Sequence, residues 1–176
     1  MTQLHTAHTA DLASATLAAA RALLYDVFDD MTEHDWEHAL GGVHALMWEG
    51  AELIGHASVI QRRLLHDGRA LRTGYVEGVG VRAEYQGQGH GSVLMTAIER
   101  VVRNAYDLGA LGATDRAAEF YAARGWTLWQ GPSSALTPTG IKRTEEDDGG
   151  IYVLPVTVPL DLSGELTCDW RDGDVW

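Results

Sequence analysis

Val79-Gly80-Val81-Arg82-Ala83-Glu84-Tyr85-Gln86-Gly87-Gln88-Gly89-His90-Gly91-Ser92 is the stretch on which the reading of this chain turns. Upstream, Leu71, Thr73, Tyr75, Glu77, Val79 and Val81 alternate with Arg72, Gly74, Val76, Gly78 and Gly80, which is the period of a strand. Gly87, Gly89 and Gly91 then break the pattern into a turn. Val93, Leu94, Ala97, Ile98, Val101, Val102 and Ala105 follow at helical spacing, with Glu99, Arg100, Arg103 and Asn104 on the opposite face. That predicts an amphipathic helix packed on a sheet. A strand, a glycine turn and a helix N-terminus together make an anion site. Unpaired backbone N–H groups point out of the first helical turn, and the helix dipole adds partial positive charge. Glycine lets a bulky anion reach the backbone without meeting a Cβ.

The class of anion is narrowed by what the turn lacks. A nucleoside-triphosphate loop ends in Gly-Lys-Ser/Thr, and the only lysine is Lys142. A dinucleotide fingerprint spaces its glycines G-x-G-x-x-G, whereas these run Gly87-x-Gly89-x-Gly91. Gln86-x-x-Gly89-x-Gly91 directly after Val79-x-Val81 resembles instead the acetyl-CoA pyrophosphate loop of the GCN5-related N-acetyltransferases. The plainer alternative is a glycine-rich turn that only joins strand to helix. Two features favour the resemblance. Gly74, Gly78 and Gly80 fall on one face of the strand, where glycine marks a bulge or the close approach of a ligand or another backbone. Downstream, Phe120-Tyr121-x-x-x-Gly125-Trp126 resembles the family's second signature, in the right order. Thr114 stands where the family often has Asn, and Thr114 or Asp115 is expected to cap the helix leading to Tyr121. The resemblance implies the α/β fold of that family: a mixed, mostly antiparallel central sheet flanked by helices, with splayed strands holding acetyl-CoA as co-substrate. It implies acetyl-CoA contacts from Val79, Gly80 and Val81 on the strand and from Gln86, Gly87, Gln88, Gly89, His90, Gly91 and Ser92 in the turn.

At 176 residues the chain is expected to form one domain, and a composition 45% hydrophobic and 22% charged is ordinary for a soluble globular protein. A single cysteine, Cys168, excludes an internal disulfide framework and points to a reducing cytoplasm. Met1 to Leu12 lacks the basic-then-apolar order of a signal peptide, and no apolar run approaches the ~20 residues of a membrane helix. The net charge of −12 argues against a nucleic-acid partner, which needs basic patches, and favours cationic partners, though solubility explains it as well.

The pattern predicts a first helix over Ala13 to Phe28, with Ala15, Leu17, Ala20, Leu24 and Phe28 near one face, and a second over Glu33 to Leu40, stopped by Gly41-Gly42. His34 and His38 are spaced as metal ligands, but Asp35 stands where a zinc-protease motif needs Glu and no third ligand is evident, so a solvated helix is expected. Val43 to Trp48 and Leu53 to Leu65 read as antiparallel strands about Gly50, and His66-Asp67-Gly68 as the next turn. Leu111 to Ala113 reads as a strand, Asp115 to Arg124 as a helix and Trp126 to Trp129 as a strand. Gly131 to Gly150 reads as a long loop, either a solvated excursion or an acidic flap over a cationic substrate. Ile151 to Val158 reads as the last strand, interrupted or at an edge because of Pro155 and Pro159. Trp170 and Trp176 either pin the terminus to the core or place the Trp176 carboxylate near the active site.

Asp35-Trp36-Glu37-His38, Gly41-Gly42-x-His44-Ala45-Leu46, Tyr75-Val76-Glu77-Gly78-Val79, Leu108-Gly109-Ala110-Leu111 and Cys168-Asp169-Trp170-Arg171-x-Gly173-Asp174-Val175-Trp176 together resemble the aminoglycoside 2′-N-acetyltransferases. The likeness runs from about His5 to Trp176, with departures in the first helix and around Lys142. In such an enzyme an amine attacks the acetyl thioester and thiolate leaves. An aliphatic ammonium has a pKa of ~10 and must first lose a proton. Glu77, a carboxylate on an otherwise apolar strand, is the leading base, helped by burial or a water relay; its alternative is an ion pair with Arg72 or Arg82. Tyr121 is the leading acid for the departing thiolate; its alternative is core packing beside Phe120. The resemblance implies the same two roles. It also implies aminoglycoside contacts from Asp30, Glu77, Gly78, Asp147, Asp174 and Trp176, no metal, a homodimer, and a capacity for antibiotic resistance. An acidic cleft suits a polyamine sugar, since each ammonium gains charge-assisted hydrogen bonds.

Three readings follow: acetyl transfer to an aminoglycoside 2′-amine, the same chemistry on another cellular amine with drug modification incidental, or a non-catalytic acyl-CoA-binding module. The presence of both Glu77 and Tyr121 weighs against the third. Calorimetric titration is expected to show acetyl-CoA binding that is abolished when Gly89 is replaced by a bulky residue; no binding to the parent protein would contradict every one of the three.

Overall fold

The computed structural model describes residues 1–176. It contains ten strands: β1 (Thr2–His8), β2 (Val43–Glu49), β3 (Glu52–His66), β4 (Arg69–Val81), β5 (Leu108–Gly112), β6 (Thr127–Leu128), β7 (Ser133–Thr137), β8 (Gly140–Arg143), β9 (Ile151–Pro155) and β10 (Leu166–Cys168). Its four α-helices are α1 (Ser14–Val27), α2 (Glu33–His38), α3 (His90–Ala105) and α4 (Ala118–Ala123). The sheet order is β6-β9-β5-β4-β3-β10-β7-β8, with β1-β2 attached to β3. It is mixed and mostly antiparallel: of the ladders with an assigned direction, only β4/β5 and β10/β7 are parallel. No helix is long and apolar enough to cross a membrane.

Contacts divide the chain into two compact units, Met1–Ile60 with Val76–Val101, and Gln61–Tyr75 with Val102–Trp176. In the first unit, β1 pairs β2 and β2 pairs the first half of β3, both antiparallel. Leu17, Ala20, Leu23, Leu24 and Val27 of α1 fall at helical spacing and pack with Trp36, Ala39, Leu46 and Leu53. Ala15, expected on that face, is exposed. A capping box starts α2: Asp35 N–H donates to Thr32 Oγ1, and the Asp35 carboxylate accepts from Thr32 N–H at 2.8 Å. His34 is exposed and 3.6 Å from Glu37, while His38 is buried, so this helix is solvated on one face only. No group of three His, Cys, Asp or Glu side chains is placed to hold a metal ion.

The second unit joins β4 to β5 in parallel at Thr73–Tyr75 with Leu108–Ala110, then continues antiparallel through β9 to β6. On its other side the end of β3 pairs β10, which runs parallel to β7, itself hairpinned to β8. Trp126, Trp129, Leu111, Val153 and Leu166 are buried within it.

Several boundaries differ from the sequence reading. The strand expected at Leu111 begins at Leu108. The expected helix at Asp115 is a 3₁₀ turn, Asp115–Ala117, followed by the short α4. Neither end has a side-chain cap: the Ala117 N–H bonds to the Thr114 carbonyl instead. Gly131 to Gly150 is not one loop but the β7–β8 hairpin and a 3₁₀ turn, Glu145–Asp147. Its buried strand face is polar: Ser133 Oγ lies 2.8 Å from the Thr144 carbonyl and 2.7 Å from Asp148 Oδ1. The strand expected over Ile151 to Val158 ends at Pro155; it is neither the last strand nor an edge, since it pairs β5 on one side and β6 on the other, and β1 and β10 were not anticipated.

Two glycines of β4, read in the sequence as marks of a bulge or a close approach, are sites of tight packing. A Cβ on Gly74 would lie 2.7 Å from Tyr106 and 3.0 Å from Val102, and one on Gly80 would lie 3.3 Å from Val27 and 3.4 Å from Leu24. They let helices sit close on the strand. At Gly42 the obstacle is backbone, with the Val59 carbonyl oxygen standing where an added Cβ would go. Side chains yield more readily than a paired strand, so Gly42→Ala is expected to lower the urea midpoint more than Gly74→Ala does, each costing on the order of 1–3 kcal/mol. Equal midpoints would contradict this packing argument.

Candidate active site

The turn before α3 is open. Gly87 (φ 73°) and Gly89 (φ 84°) have left-handed backbones, and a Cβ on either would meet nothing within 4 Å. The helical ladder begins with Val93 N–H to the Gly89 carbonyl at 3.2 Å, so the N–H groups of His90, Gly91 and Ser92 precede it. Two glutamines brace the turn: Gln86 Nε2 donates to the Val81 carbonyl at 2.9 Å, and Gln88 Nε2 to the Glu84 carbonyl at 3.1 Å. At 16 residues, α3 is long enough for a full helix dipole behind those amides. A diphosphate fits such a cradle. Upstream, the β4/β5 ladder stops at Tyr75, so Val76 to Val81 lie outside it and can pair with an extended ligand. These features fit acetyl-CoA.

Glu77 is half-buried on β4, and its carbonyl accepts from Ser58 Oγ at 3.3 Å. Gly78 follows with φ 56°, a break in the extended backbone, and its carbonyl accepts from His56 Nδ1 at 2.7 Å. The two arginines weighed as partners for Glu77 are engaged elsewhere: Arg72 with Asp107 at 3.2 Å, and Arg82 with Asp26 at 2.9 Å and Glu52 at 3.4 Å. Tyr121 sits on α4, 7% exposed, with the rings of Phe120, Trp126 and Tyr152 around it at 5.1, 6.2 and 6.1 Å. Packing and a chemical role are compatible there, because the residue is not completely enclosed.

In the second unit, Asp147, Asp174 and Trp176 line one cavity of ≈ 330 Å³, with Gly112, Ala113, Thr114, Glu146, Gly150 and Ile151. Sequence reasoning had not assigned Gly112, Ala113, Thr114 or Glu146 to a site; only Glu146 carried a signal, as part of the acidic run. Asp30, Glu77 and Gly78 belong to the first unit, and Asp30 is exposed just beyond α1. Trp176 is buried, and its indole Nε1 donates to Thr144 Oγ1 at 2.9 Å. Its backbone N–H donates to Asp174 Oδ1 at 3.1 Å. Arg171 donates to the Asp174 carbonyl at 2.8 Å and to Trp176 O at 3.1 Å while stacking over Tyr75. Arg62 stacks on the same ring at 4.6 Å and pairs with Asp169 at 2.7 Å.

Adjacent aspartates are pushed in opposite directions. Two Arg143 N–H groups and Ser133 hold the Asp148 carboxyl well below the usual range. Burial, and then the negative charges of Asp174 and Glu146, push Asp147 up to about 6. The cavity therefore concentrates uncompensated acid where a cation would relieve it.

Comparison with known proteins gives the same picture. The Acetyltransferase (GNAT) family matches residues 10–126. The aminoglycoside 2′-N-acetyltransferase of Mycolicibacterium fortuitum is 53% identical over 98% of this chain and 93% of its own length. Among solved structures, the GNAT family N-acetyltransferase YhbS of Escherichia coli, in complex with CoA, aligns with a TM-score of 0.66 over 95% of this chain and 89% of its own, at 13% identity. The GCN5-related N-acetyltransferase of Kribbella flavida aligns with a TM-score of 0.59 at 22% identity over 74% of this chain, which spans 34% of that longer protein. At those identities the two structures speak for the fold.

Asp147 supplies a test with a defined sign. Its folded pKa of about 6 lies above the ordinary 3.8, so folding takes up a proton between those values and stability falls as pH rises through that window. Asp147→Asn is expected to raise Tm at pH 7, to have little effect near pH 4, and to weaken binding of a polycationic ligand at pH 7. A Tm change equal at both pH values would contradict the charge argument.

Proposed function

This chain belongs to the acetyltransferase (GNAT) family, among its aminoglycoside 2′-N-acetyltransferases, and from that membership we infer that it transfers an acetyl group from acetyl-CoA to the 2′-amino group of aminoglycoside antibiotics. The observation that carries the substrate class is the acidic cavity of Asp147, Asp174 and Glu146 around Trp176. A polyamine sugar brings several ammonium groups, each able to form charge-assisted hydrogen bonds with those carboxylates. A net charge of −12 favours the encounter.

Acetyl-CoA supplies the acetyl group as an activated thioester. The Gln86–Ser92 turn holds its diphosphate on the amides of His90, Gly91 and Ser92, and the backbone of Val79, Gly80 and Val81 orients the arm behind it. Glu77 takes the proton from the attacking nitrogen. A free glutamate has a pKa of ~4.3 against ~10 for an amine, so its pull is effective once bond formation has begun to acidify the nitrogen. Tyr121 Oη holds the proton that the departing sulfur takes. Asp30, Gly78, Asp147, Asp174 and Trp176 bind the sugar. Acetylation of another cellular amine remains the second reading, since the same cavity takes any polyamine of similar shape.

Three outcomes test this. Glu77→Gln is expected to lower kcat chiefly at the low-pH end, where base assistance matters most. Tyr121→Phe is expected to lower kcat by roughly 10²-fold. Unchanged kcat in both would remove these residues from the chemistry. Aminoglycosides with a 2′-amine are expected to be acetylated and matched 2′-hydroxyl compounds to be inert, and equal turnover of the latter at another amine would falsify the regiochemistry.

A further inference from the structure

Two buried histidines run from β2, the strand between β1 and β3, to the backbone beside Glu77. His44 on β2 and His56 on β3 are both 0% exposed. His56 Nδ1 lies 2.7 Å from the Gly78 carbonyl oxygen, His44 Nδ1 lies 2.9 Å from His56 Nε2, and Thr9 Oγ1 lies 2.8 Å from His44 Nε2. These contacts have one self-consistent direction when both rings are neutral. A carbonyl oxygen has no proton, so His56 Nδ1 donates. A neutral imidazole has one N–H, so His56 Nε2 accepts from His44 Nδ1–H. His44 Nε2 then accepts from the Thr9 hydroxyl, whose oxygen in turn accepts the Gly41 N–H at 2.9 Å. Burial pushes both imidazoles down to about 4, which keeps them neutral near pH 7.

A buried polar chain of this length costs desolvation at every member unless each is satisfied, and its inner end is the only backbone oxygen in the chain of contacts that belongs to β4. That oxygen sits at the one residue of β4 with a left-handed φ. A Cβ on Gly78 would lie 3.2 Å from His56 Nδ1, so the ring is seated against the break itself. Ser58 holds the preceding carbonyl, that of Glu77, at 3.3 Å. Side chains of β3 thus donate to two successive carbonyls of β4 at the point where its extended backbone is interrupted.

We propose that His56, oriented by His44 and Thr9, is a positioning residue that fixes the Gly78 carbonyl and with it the Glu77 carboxylate for proton abstraction. The proposal rests on the reading of Glu77 as the base. A base must come within hydrogen-bond reach of the proton it takes, and a carboxylate displaced by ~1 Å can cost up to about 10²-fold in rate.

Imidazole ¹⁵N NMR of the parent protein at pH 7 is expected to show His44 and His56 neutral and protonated on Nδ1, against the preference for Nε2–H in water. An Nε2–H tautomer at His56 overturns the proposal without any mutation. In kinetics, His56→Leu is expected to lower kcat about tenfold or more with the KM for acetyl-CoA nearly unchanged. His56→Asn, whose amide N–H can take the place of Nδ1–H, is expected to recover part of the loss. The loss in His56→Leu is expected to vanish in a Glu77→Gln background. If Glu77→Gln is slow and His56→Leu loses equally in both backgrounds, this proposal alone falls. If Glu77→Gln keeps full kcat, the base assignment falls and this proposal with it. Should His56→Leu fail to fold, Thr9→Val reads the same chain from its half-buried end: a lowered kcat with Tm close to the parent supports the proposal, and an unchanged kcat overturns it.

Discussion

The ladder between β4 and β5 covers Thr73 to Tyr75 and ends there, while β4 runs on to Val81. Much of the site follows from that interruption. Backbone groups of β4 beyond Tyr75 lie outside this ladder, and the strand is then free to bend at Gly78 and to present Glu77 half-buried. The same strand delivers the chain into the Gly87 and Gly89 turn and so onto the first amides of α3. An acyl carrier with an extended arm and a diphosphate end needs those two elements in that order. The interruption is stable because its polar groups find other partners: His56 and Ser58 donate to two β4 carbonyls, and Gln86 donates to the carbonyl of Val81.

The second constraint is charge. The cavity of Asp147, Asp174 and Glu146 leaves carboxylates close together, while the neighbouring Asp148 is held ionised by Arg143 and Ser133 and adds its own charge to theirs. Asp147 bears the strain, with its proton held up to about 6. Such a cavity is unfavourable for the empty protein and favourable for a polycation. Trp176 forms part of the wall, fixed through its indole to Thr144 and through its backbone to Asp174. Of the two tryptophans expected to pin the terminus, only Trp176 is buried, while Trp170 is 47% exposed; the anchored Trp176 also lines the cavity.

Legibility in the sequence tracked the kind of force involved. The strand–turn–helix from Leu71 to Ala105 was legible because apolar periodicity and glycine spacing are both local signals, and its helix extended only three residues earlier than the periodicity required. β1 was not legible: Thr2–His8 is mostly exposed and held by pairing with β2, so it carries no apolar alternation. The β7–β8 hairpin was hidden for the opposite reason. Ser133 and Ser134 are fully buried, but they are satisfied by Thr144, Asp148 and Glu165 rather than by apolar neighbours, so the stretch looks like a loop. Of the residues lining the cavity, Asp147, Asp174 and Trp176 were named through family resemblance, while Gly112 and Ala113 line it by position and have no side-chain chemistry to announce them, and Thr114 was read only as a helix cap. His44 and His56 are 12 residues apart in sequence and meet only because β2 and β3 pair.

β4 and the turn after it are expected to be the seat of acetyl-CoA. Amide hydrogen exchange with and without acetyl-CoA measures that directly. The amides of Val79 to Val81 and of Gly89 to Ser92 are expected to become protected on binding, with little change at Gly112 to Thr114 and Glu146 to Asp147. Protection confined to the acidic cavity, with the β4 and turn amides exchanging as before, would contradict it.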